Sequence, residues 1–212
     1  MPLRHHSIDA DPDRWTTAMR GLRGGPNPAA RAMFSADTEI VWEPGEDDLH
    51  HDQLRFLLRW WYALAAAHGG VPPATHRIDP LTLRPALGHL LTLDAVDGGA
   101  DYRFGLYGSI IAQRAGFDMT GKLITQIPSP PETVAFFLAS HRASALERVP
   151  LYTAHTPWSG ISLTRWFRLL LPFAAADGSI RRFLVGTMPG AERLPSFDLL
   201  NETALRDMIG AA

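Results

Sequence analysis

The segment with the clearest chemical signature is the glycine-rich stretch of residues 116–122, which reads GFDMTGK. It satisfies the spacing G-x-x-x-x-G-K, in which backbone N–H groups and a lysine can hold a phosphate group. That chemistry also needs a Ser or Thr after the lysine, to bind Mg²⁺, and a strand before the loop. Here Leu123 follows Lys122, and the local pattern predicts a short helix before the loop. We therefore interpret the segment as an ordinary turn and expect no nucleotide to bind through Lys122.

The histidines and serines give no catalytic or metal-binding pattern. His50 and His51 are adjacent, so on a helix their side chains point apart, and no H-E-x-x-H motif is present. Ser109 and Ser159 lack the G-x-S-x-G setting of a nucleophile elbow. The chain has no cysteine, which excludes disulfides, thiolate metal sites and cysteine nucleophiles. No pair of acids stands out as general acid and base, and we expect the protein not to be an enzyme.

Arg165 lies in a predicted strand, residues 161–173, on a face that is otherwise apolar. The residues of the same parity are Ile161, Leu163, Phe167, Leu169, Leu171 and Phe173. A buried guanidinium without an anion is costly, so Arg165 should meet an acidic side chain or a ligand anion. The alternative is a bulge or strand end that lets Arg165 reach solvent. Both interpretations stay open at this stage.

Composition and charge exclude several classes of protein. The 212 residues, 46% hydrophobic and 20% charged, suffice for one well-buried domain with extensions. The net charge of −2 gives no attraction to nucleic acid or to an anionic membrane. No segment approaches the roughly 20 apolar residues of a membrane span, and the N-terminus lacks the apolar core of a signal peptide. We expect a cytoplasmic protein without a nucleic-acid or membrane partner.

Periodicity predicts the elements of the first half of the domain. Residues 52–68 carry a helical apolar stripe that is followed by Gly69 and Gly70. The stripe consists of Leu54, Leu57, Leu58, Trp61, Leu64 and Ala65. Residues 90–96 predict a strand, and Asp97-Gly98 is typical of a hairpin turn into a second strand that contains Tyr102.

The second half of the domain predicts one helix and three strands. The helix has Pro131 in its first turn and ends near residue 149. The strands cover residues 151–156, 161–173 and 180–188. We expect residues 1–46 to form a flexible N-terminal arm, residues 47–190 the folded domain, and residues 191–212 a C-terminal tail with a short helix.

The central stretch of residues 101–122 reads DYRFGLYGSIIAQRAGFDMTGK and combines a strand, a short helix that Ser109 could cap and a glycine turn. This combination resembles a bacterial PAS-domain family that reads roughly R-hydrophobic-x-G-T, then a short helix, then G-x-D-x-T-G. The resemblance extends over residues 51–190. Ser109 stands where the family has Thr, and Gly105 stands where it often has Arg.

The resemblance implies an α+β fold, with one five-stranded antiparallel sheet, helices on one face, and an N-terminal helix and arm. It also implies a sensory cavity between the sheet and the intervening helices. The candidate ligand-binding residues of that cavity are Tyr107, His141, His155 and Arg165. The cofactor stays unknown, although the absence of cysteine removes the thiol that flavin-binding and coumaric-acid photosensors of the PAS group need.

The leading functional hypothesis is a stand-alone PAS-type regulatory module that acts on another signalling protein, with a small ligand in the cavity as a candidate switch. One alternative is a small-molecule enzyme of a cone-shaped α+β fold, similar to ketosteroid isomerase. Such an enzyme needs a cavity-facing set of Asp, Tyr or His. Another alternative is a purely structural interaction domain with a filled core.

The helix of residues 52–68 is also a candidate interface. Phe56 and Trp60 lie at i and i+4 beside the apolar stripe and widen it beyond what one contact needs. Aromatic residues are enriched at interfaces, and many PAS modules dimerise through this helix, so we expect a homodimer or partner surface here. The alternative is that residues 40–42 of the arm fold back over these aromatics.

Overall fold

The computed structural model describes residues 10–156 and 164–190, which form an antiparallel sheet with helices on both faces. The helices are α1 (Pro12–Gly21), α2 (Pro28–Arg31), α3 (Asp52–His68), α4 (Ser109–Ala115) and α5 (Pro131–Glu147). The strands are β1 (Glu39–Trp42), β2 (Leu90–Val96), β3 (Asp101–Tyr107), β4 (Leu151–His155), β5 (Trp166–Ala174) and β6 (Ile180–Pro189). The sheet order is β1-β4-β5-β6-β2-β3, so the predicted α+β class is confirmed.

Several predicted elements have the predicted bounds. The helix of residues 52–68 and the strand of residues 90–96 are α3 and β2. Both Asp97 and Gly98 have positive φ, as the predicted turn into β3 requires. The strand predicted from residue 161 is described from Trp166 onward, because residues 157–163 lie outside the described part of the chain. The predicted C-terminal tail, residues 191–212, also lies outside it.

Helix α3 covers one face of the sheet. Its residues Leu54 and Leu57 are fully buried against the long strands β5 and β6. They approach the backbone of β6 at Gly186, where an added Cβ would lie 2.6 Å from Cδ1 of Leu57. Trp61 buries its ring in the same cluster and donates its Nε1–H to the carbonyl of Pro172 at 3.0 Å. The glycine therefore allows the helix to pack directly on the sheet.

The opposite face of the sheet, which we call the inner face, is covered by α4, α5 and the segment between them. Its buried side chains come from alternate positions of β2, β4, β5 and β6. They include Leu91, Leu93, Leu151, Leu170, Phe183 and Val185, with Ile111 of α4 and Leu138 of α5. The predicted helices on one face are thus α4 and α5, whereas α3 lies on the other face.

The N-terminal segment differs from the expected flexible arm. Residues 12–42 form α1, α2 and β1, and β1 pairs with β4 as a sixth strand of the sheet. Trp15 is 1% exposed and makes edge-on contacts with Phe34 and Phe136, at 5.7 and 6.1 Å between ring centroids. This segment is therefore part of the folded domain, packed against α5.

Candidate functional site

A cavity of about 300 Å³ lies between the inner face of the sheet and the layer formed by α4 and α5. Its walls are mainly apolar and aromatic, with a few polar side chains. The apolar lining includes Leu91, Phe104, Ile111, Phe117, Ile127, Phe137 and Trp166, and the polar lining includes Tyr107, Arg114, Ser129, Thr133, Arg168 and Thr187. The cavity predicted between the sheet and residues 109–148 is therefore present.

Two glycines position α4 over the cavity. Gly108 caps the helix, and an added Cβ there would collide with the carbonyl oxygen of Gly88. Only glycine fits at this approach, so the chain can turn sharply from β3 into α4. Gly116 ends the helix with a φ of 80°, which residues with side chains rarely adopt. Ser109, which the sequence suggested as a cap, is instead the first residue of the helix.

The segment after α4 closes the cavity by pairing with the edge strand β3. The N–H of Gly121 donates to the carbonyl of Phe104 at 2.7 Å, and the N–H of Phe104 donates to the carbonyl of Lys122 at 2.9 Å. The N–H of Thr120 donates to Oδ1 of Asp118. The N–H groups of Thr120 and Gly121 in the G-x-x-x-x-G-K segment are thus used within the protein, as is typical of a turn.

A row of polar side chains crosses the inner face. Thr153, Arg168 and Thr187 lie directly opposite one another on β4, β5 and β6, so their side chains share one face of the sheet. Arg168 is 3% exposed, and both threonines are buried as well. Arg168 and Thr187 line the cavity. The row therefore brings one cation and hydroxyl groups into a surface that is otherwise apolar.

Arg168 is held against α5. Its guanidinium carbon lies 3.9 Å from the centroid of the Phe137 ring. Its Nη1 is buried and has no hydrogen-bond partner among the described residues. Burial lowers the pKa of Arg168 to about 10, and the neighbouring Tyr107 opposes this shift. The guanidinium therefore remains charged at neutral pH.

Tyr107 lies at the end of β3 and also lines the cavity. Its ring contacts Phe104 and Phe117, at 5.4 and 6.4 Å between centroids. Burial raises the pKa of Tyr107 to about 12, while Arg168 acts in the opposite direction. The hydroxyl is therefore protonated at neutral pH and can donate a hydrogen bond to a ligand. Of the four predicted cavity residues, it is the one that the structure places in the cavity wall.

The structure places His141 in the core beside the cavity rather than in its wall. Its Nδ1 lies 2.8 Å from the carbonyl oxygen of Phe137, and its ring packs on Tyr102 and Phe183. Burial, and secondarily the charge of Arg168, lowers the pKa of His141 to about 3. The imidazole is therefore neutral, and its Nδ1–H donates to the carbonyl.

His155 is also fully buried and does not line the cavity. It contacts the rings of Phe136 and Phe137, at 4.6 and 5.5 Å between centroids. Its pKa is lowered to about 3, first by burial and then by Arg168. His155 thus supports the wall formed by Phe137 without facing the cavity itself.

Arg165 lies outside the cavity, immediately before β5. Its Nη2 donates to Oε1 of Glu39 on β1 at 2.5 Å. Both interpretations from the sequence are thus found together: Arg165 lies at a strand end where it is partly exposed, and it pairs with an acidic side chain of the protein. Arg168 takes the place predicted for Arg165 in the cavity. The signal for Arg168 was a single cation inside the apolar run WFRLLLPF, which parity alone assigns to the other face.

The candidate interface residues Phe56 and Trp60 are half-buried. The ring of Trp60 contacts His76 and Phe173, at 6.1 and 6.3 Å between centroids, neither of which belongs to the N-terminal arm. The arm instead places β1 against β4. The ring contacts of Trp60 are therefore not with residues 40–42, although Val41 packs against the same core cluster as Phe56 and Trp60. Self-association through α3 stays a prediction.

Two properties of the described residues bear on metal binding and on membrane insertion. Among them, no group of three or more His, Cys, Asp or Glu side chains is arranged to hold a metal ion. Within the same residues, no helix combines the length and apolar character that crossing a membrane requires.

Comparison with known proteins adds little. No family model matches the chain, and no curated protein matches it. One solved structure that is similar to the chain is described as an RNA-binding Light-Oxygen-Voltage receptor, with 14% sequence identity and a TM-score of 0.41. The match covers 92% of this chain and 54% of that chain, so this protein spans about half of its length. At this level of similarity, the match identifies neither a ligand nor a function for this chain.

Proposed function

We propose that this protein is a PAS-type sensory or regulatory module that binds a small molecule in the inner-face cavity and transmits binding to a partner protein. The observation that supports this proposal is the cavity itself. Its volume of about 300 Å³ is at the lower end of the range for small-molecule sites. Apolar walls with a few polar groups that can fix the orientation of a ligand are typical of such sites.

The chemistry of the lining favours binding over catalysis. Among the described residues, no Asp, Glu or His lines the cavity. Arg168, with a pKa of about 10, and Tyr107, with a pKa of about 12, both hold their protons at neutral pH. Neither matches the pKa near the working pH that a general acid or base needs. This favours the regulatory hypothesis over an enzyme similar to ketosteroid isomerase.

The wall formed by α4 and the following segment is the part that a ligand can move. Helix α4 has seven residues and lies between the glycines at 108 and 116. The segment after it is attached to β3 through the backbone of Phe104. A ligand that contacts Ile111 and Phe117 would favour one arrangement of this wall over another. In this proposal, the outer surface of the wall is where a partner protein detects the change.

The experiment that tests this proposal is a cavity-blocking variant. Ala115→Phe places a ring at the cavity wall, whereas Ala67→Phe makes the same change at an exposed position of α3. Mass spectrometry of small molecules released from the purified protein, with a thermal-shift screen of metabolites, would identify ligands. We expect a ligand that stabilises the wild type and the Ala67→Phe protein but not the Ala115→Phe protein. A screen in which no compound stabilises the wild type would instead favour a structural interaction domain.

A further inference from the structure

We infer that the ligand of this cavity is a monocarboxylate on a compact apolar or aromatic body, with the guanidinium of Arg168 as its counter-ion. This inference rests on the proposed function and specifies the chemical class of its ligand. It depends on three features of the cavity. Among the described residues, a buried cation has no anion beside it and buried hydroxyl groups have no hydrogen-bond partner, and the walls are apolar and enclose a limited volume.

The first feature is the electrostatic state of Arg168. Among the described residues, its Nη1 has no hydrogen-bond partner, and no carboxylate is among the groups that shift its pKa. The titratable groups that interact with it are Tyr107, His141 and His155, and all three are neutral at pH 7. An isolated buried cation is costly, and an anion in the cavity would remove this cost.

The second feature is the set of hydroxyl groups around the cation. Thr133 and Thr187 are 2% and 4% exposed, and their Oγ1 atoms have no hydrogen-bond partner among the described residues. Both line the same cavity as Arg168, and Thr187 lies opposite Arg168 in the sheet. Tyr107, whose hydroxyl is protonated at neutral pH, lines the same cavity. A carboxylate can accept several hydrogen bonds at once, so it matches this set of donors.

The third feature is the size and polarity of the remaining space. A volume of about 300 Å³ is roughly ten times the share of one water in the liquid, which suits a ligand of about ten non-hydrogen atoms. Phe104, Ile111 and Phe117 offer apolar surface to such a body. Arg114 also lines the cavity but is solvent-exposed, so Arg168 supplies the buried charge. One buried cation balances a monoanion, whereas a phosphate monoester would leave a second negative charge in an apolar site.

The test compares three ligands that differ only in their polar group: phenylacetate, phenylacetamide and benzyl phosphate. Affinities are measured by calorimetry at pH 7.5 with the full chain. We expect the wild type to bind phenylacetate at least ~10-fold more tightly than phenylacetamide, because a hydrogen-bonded charge pair contributes more than a neutral hydrogen bond. In Arg168→Met this preference should disappear, while the affinity for the amide stays within a few-fold. Arg165→Met, which changes an arginine outside the cavity, should keep the preference.

A second measurement does not depend on any variant. In the wild type, binding of phenylacetate at pH 7.5 should take up no proton, as measured by calorimetry in buffers of different ionisation enthalpy, because the guanidinium favours the ionised form of the ligand. Equal affinity for carboxylate and amide, or uptake of a proton on binding, would overturn the inference and leave the proposed function standing. Tighter, Arg168-dependent binding of benzyl phosphate would overturn it in favour of a phosphate ligand. Absence of binding by all three probes would also overturn it, and the metabolite screen would then decide the proposed function separately.

Discussion

The two faces of the sheet bury their side chains in different ways. The α3 face is filled by leucine and aromatic side chains, and Gly186 brings the helix into direct contact with the strands. The inner face borders a cavity of about 300 Å³ and contains Arg168 and the neutral His155, and the neutral His141 lies on α5 above it. The α3 face therefore has the dense apolar packing of an ordinary protein core. The inner face has empty volume and a buried charge at the place where a ligand would bind. Such local exceptions to dense apolar packing are expected at functional sites.

Arg165 and Arg168, the two arginines at β5, also differ in exposure and in their partners. Arg165 lies at the strand end and pairs with Glu39, with both side chains partly exposed. Arg168 lies three residues later, within the strand, and is buried against Phe137 without an acidic partner among the described residues. The first is an ordinary surface ion pair. The second is a charge that the free protein tolerates and that a ligand can use.

The largest effect should come from shortening side chains on the filled face. Leu57→Ala should lower the free energy of unfolding by about 2–5 kcal/mol, because the fully buried leucine would leave a new cavity. Ile111→Ala should cost less, below about 2 kcal/mol, because Ile111 already borders empty space and part of the cavity term is absent. Urea unfolding at pH 7 measures both. Equal losses would mean that the two faces are packed equally well.

The next effect has the opposite sign. Arg168→Met should leave the ligand-free protein equally stable or raise its free energy of unfolding by about 1–4 kcal/mol, because an apolar side chain replaces a buried charge that has no acidic partner among the described residues. Arg165→Met should lower the free energy by at most ~1 kcal/mol, because it removes a partly exposed ion pair. Thermal unfolding without ligand distinguishes the two variants. A clear loss of stability in Arg168→Met would show that the charge already has a partner in the folded protein.

The buried histidines should make stability depend on pH. The pKa values of His141 and His155 are lowered from 6.5 to about 3 in the folded protein, so the unfolded chain binds more protons between these values. The contribution of these histidines to the free energy of unfolding should therefore be fully present above pH 6.5 and should be lost as the pH decreases toward 3. The slope should reach ~1.4 kcal/mol per pH unit for each histidine.

Substitutions can test whether the buried histidines cause this pH dependence of the free energy of unfolding. His141 faces Arg168 on β5 and the Tyr102 ring on β3, and His155 interacts with Arg168, Arg165 and Asp37. His141→Gln should reduce the slope measured by urea unfolding between pH 7 and pH 5. His68→Gln, at an exposed position of α3, is the matched control and should keep the wild-type slope. An unchanged slope in His141→Gln would contradict the assignment.

The elements of the domain were predictable because their signals are local. The apolar stripe of α3 ends at Gly69, which adopts the left-handed conformation of a helix cap. The N-terminal segment was predicted to be a flexible arm, but Pro12 and Pro28 begin helices. Asp11 and Asn27, the residues before these prolines, cap the two helices.

The site was less predictable because it depends on contacts that are distant in sequence. Arg165 and Glu39 are separated by 126 residues, so local patterns could not reveal their pairing. Strand parity places Arg165 and Arg168 on opposite faces of the sheet. Because helices cover both faces, parity does not predict which face borders a cavity. The cavity itself arises from the path of α4 and the following segment between Gly108 and Pro131. Only the position of Tyr107 at the end of β3 could be placed beforehand.

The smallest expected effect is on self-association through the outer surface of α3, the helix that covers the face of the sheet without the cavity. Phe56 and Trp60 are half-buried, so part of each ring is available to a second copy of the chain. We expect the wild type to sediment as a dimer at tens of micromolar and Phe56→Ser/Trp60→Ser to sediment as a monomer with the same fold by circular dichroism. Leu146→Ser is the control on α5, where the side chain is 59% exposed, and should leave the dimer intact. A monomeric wild type would end the prediction, and a dimer that survives the double substitution but not Leu146→Ser would place the interface on the cavity side of the sheet.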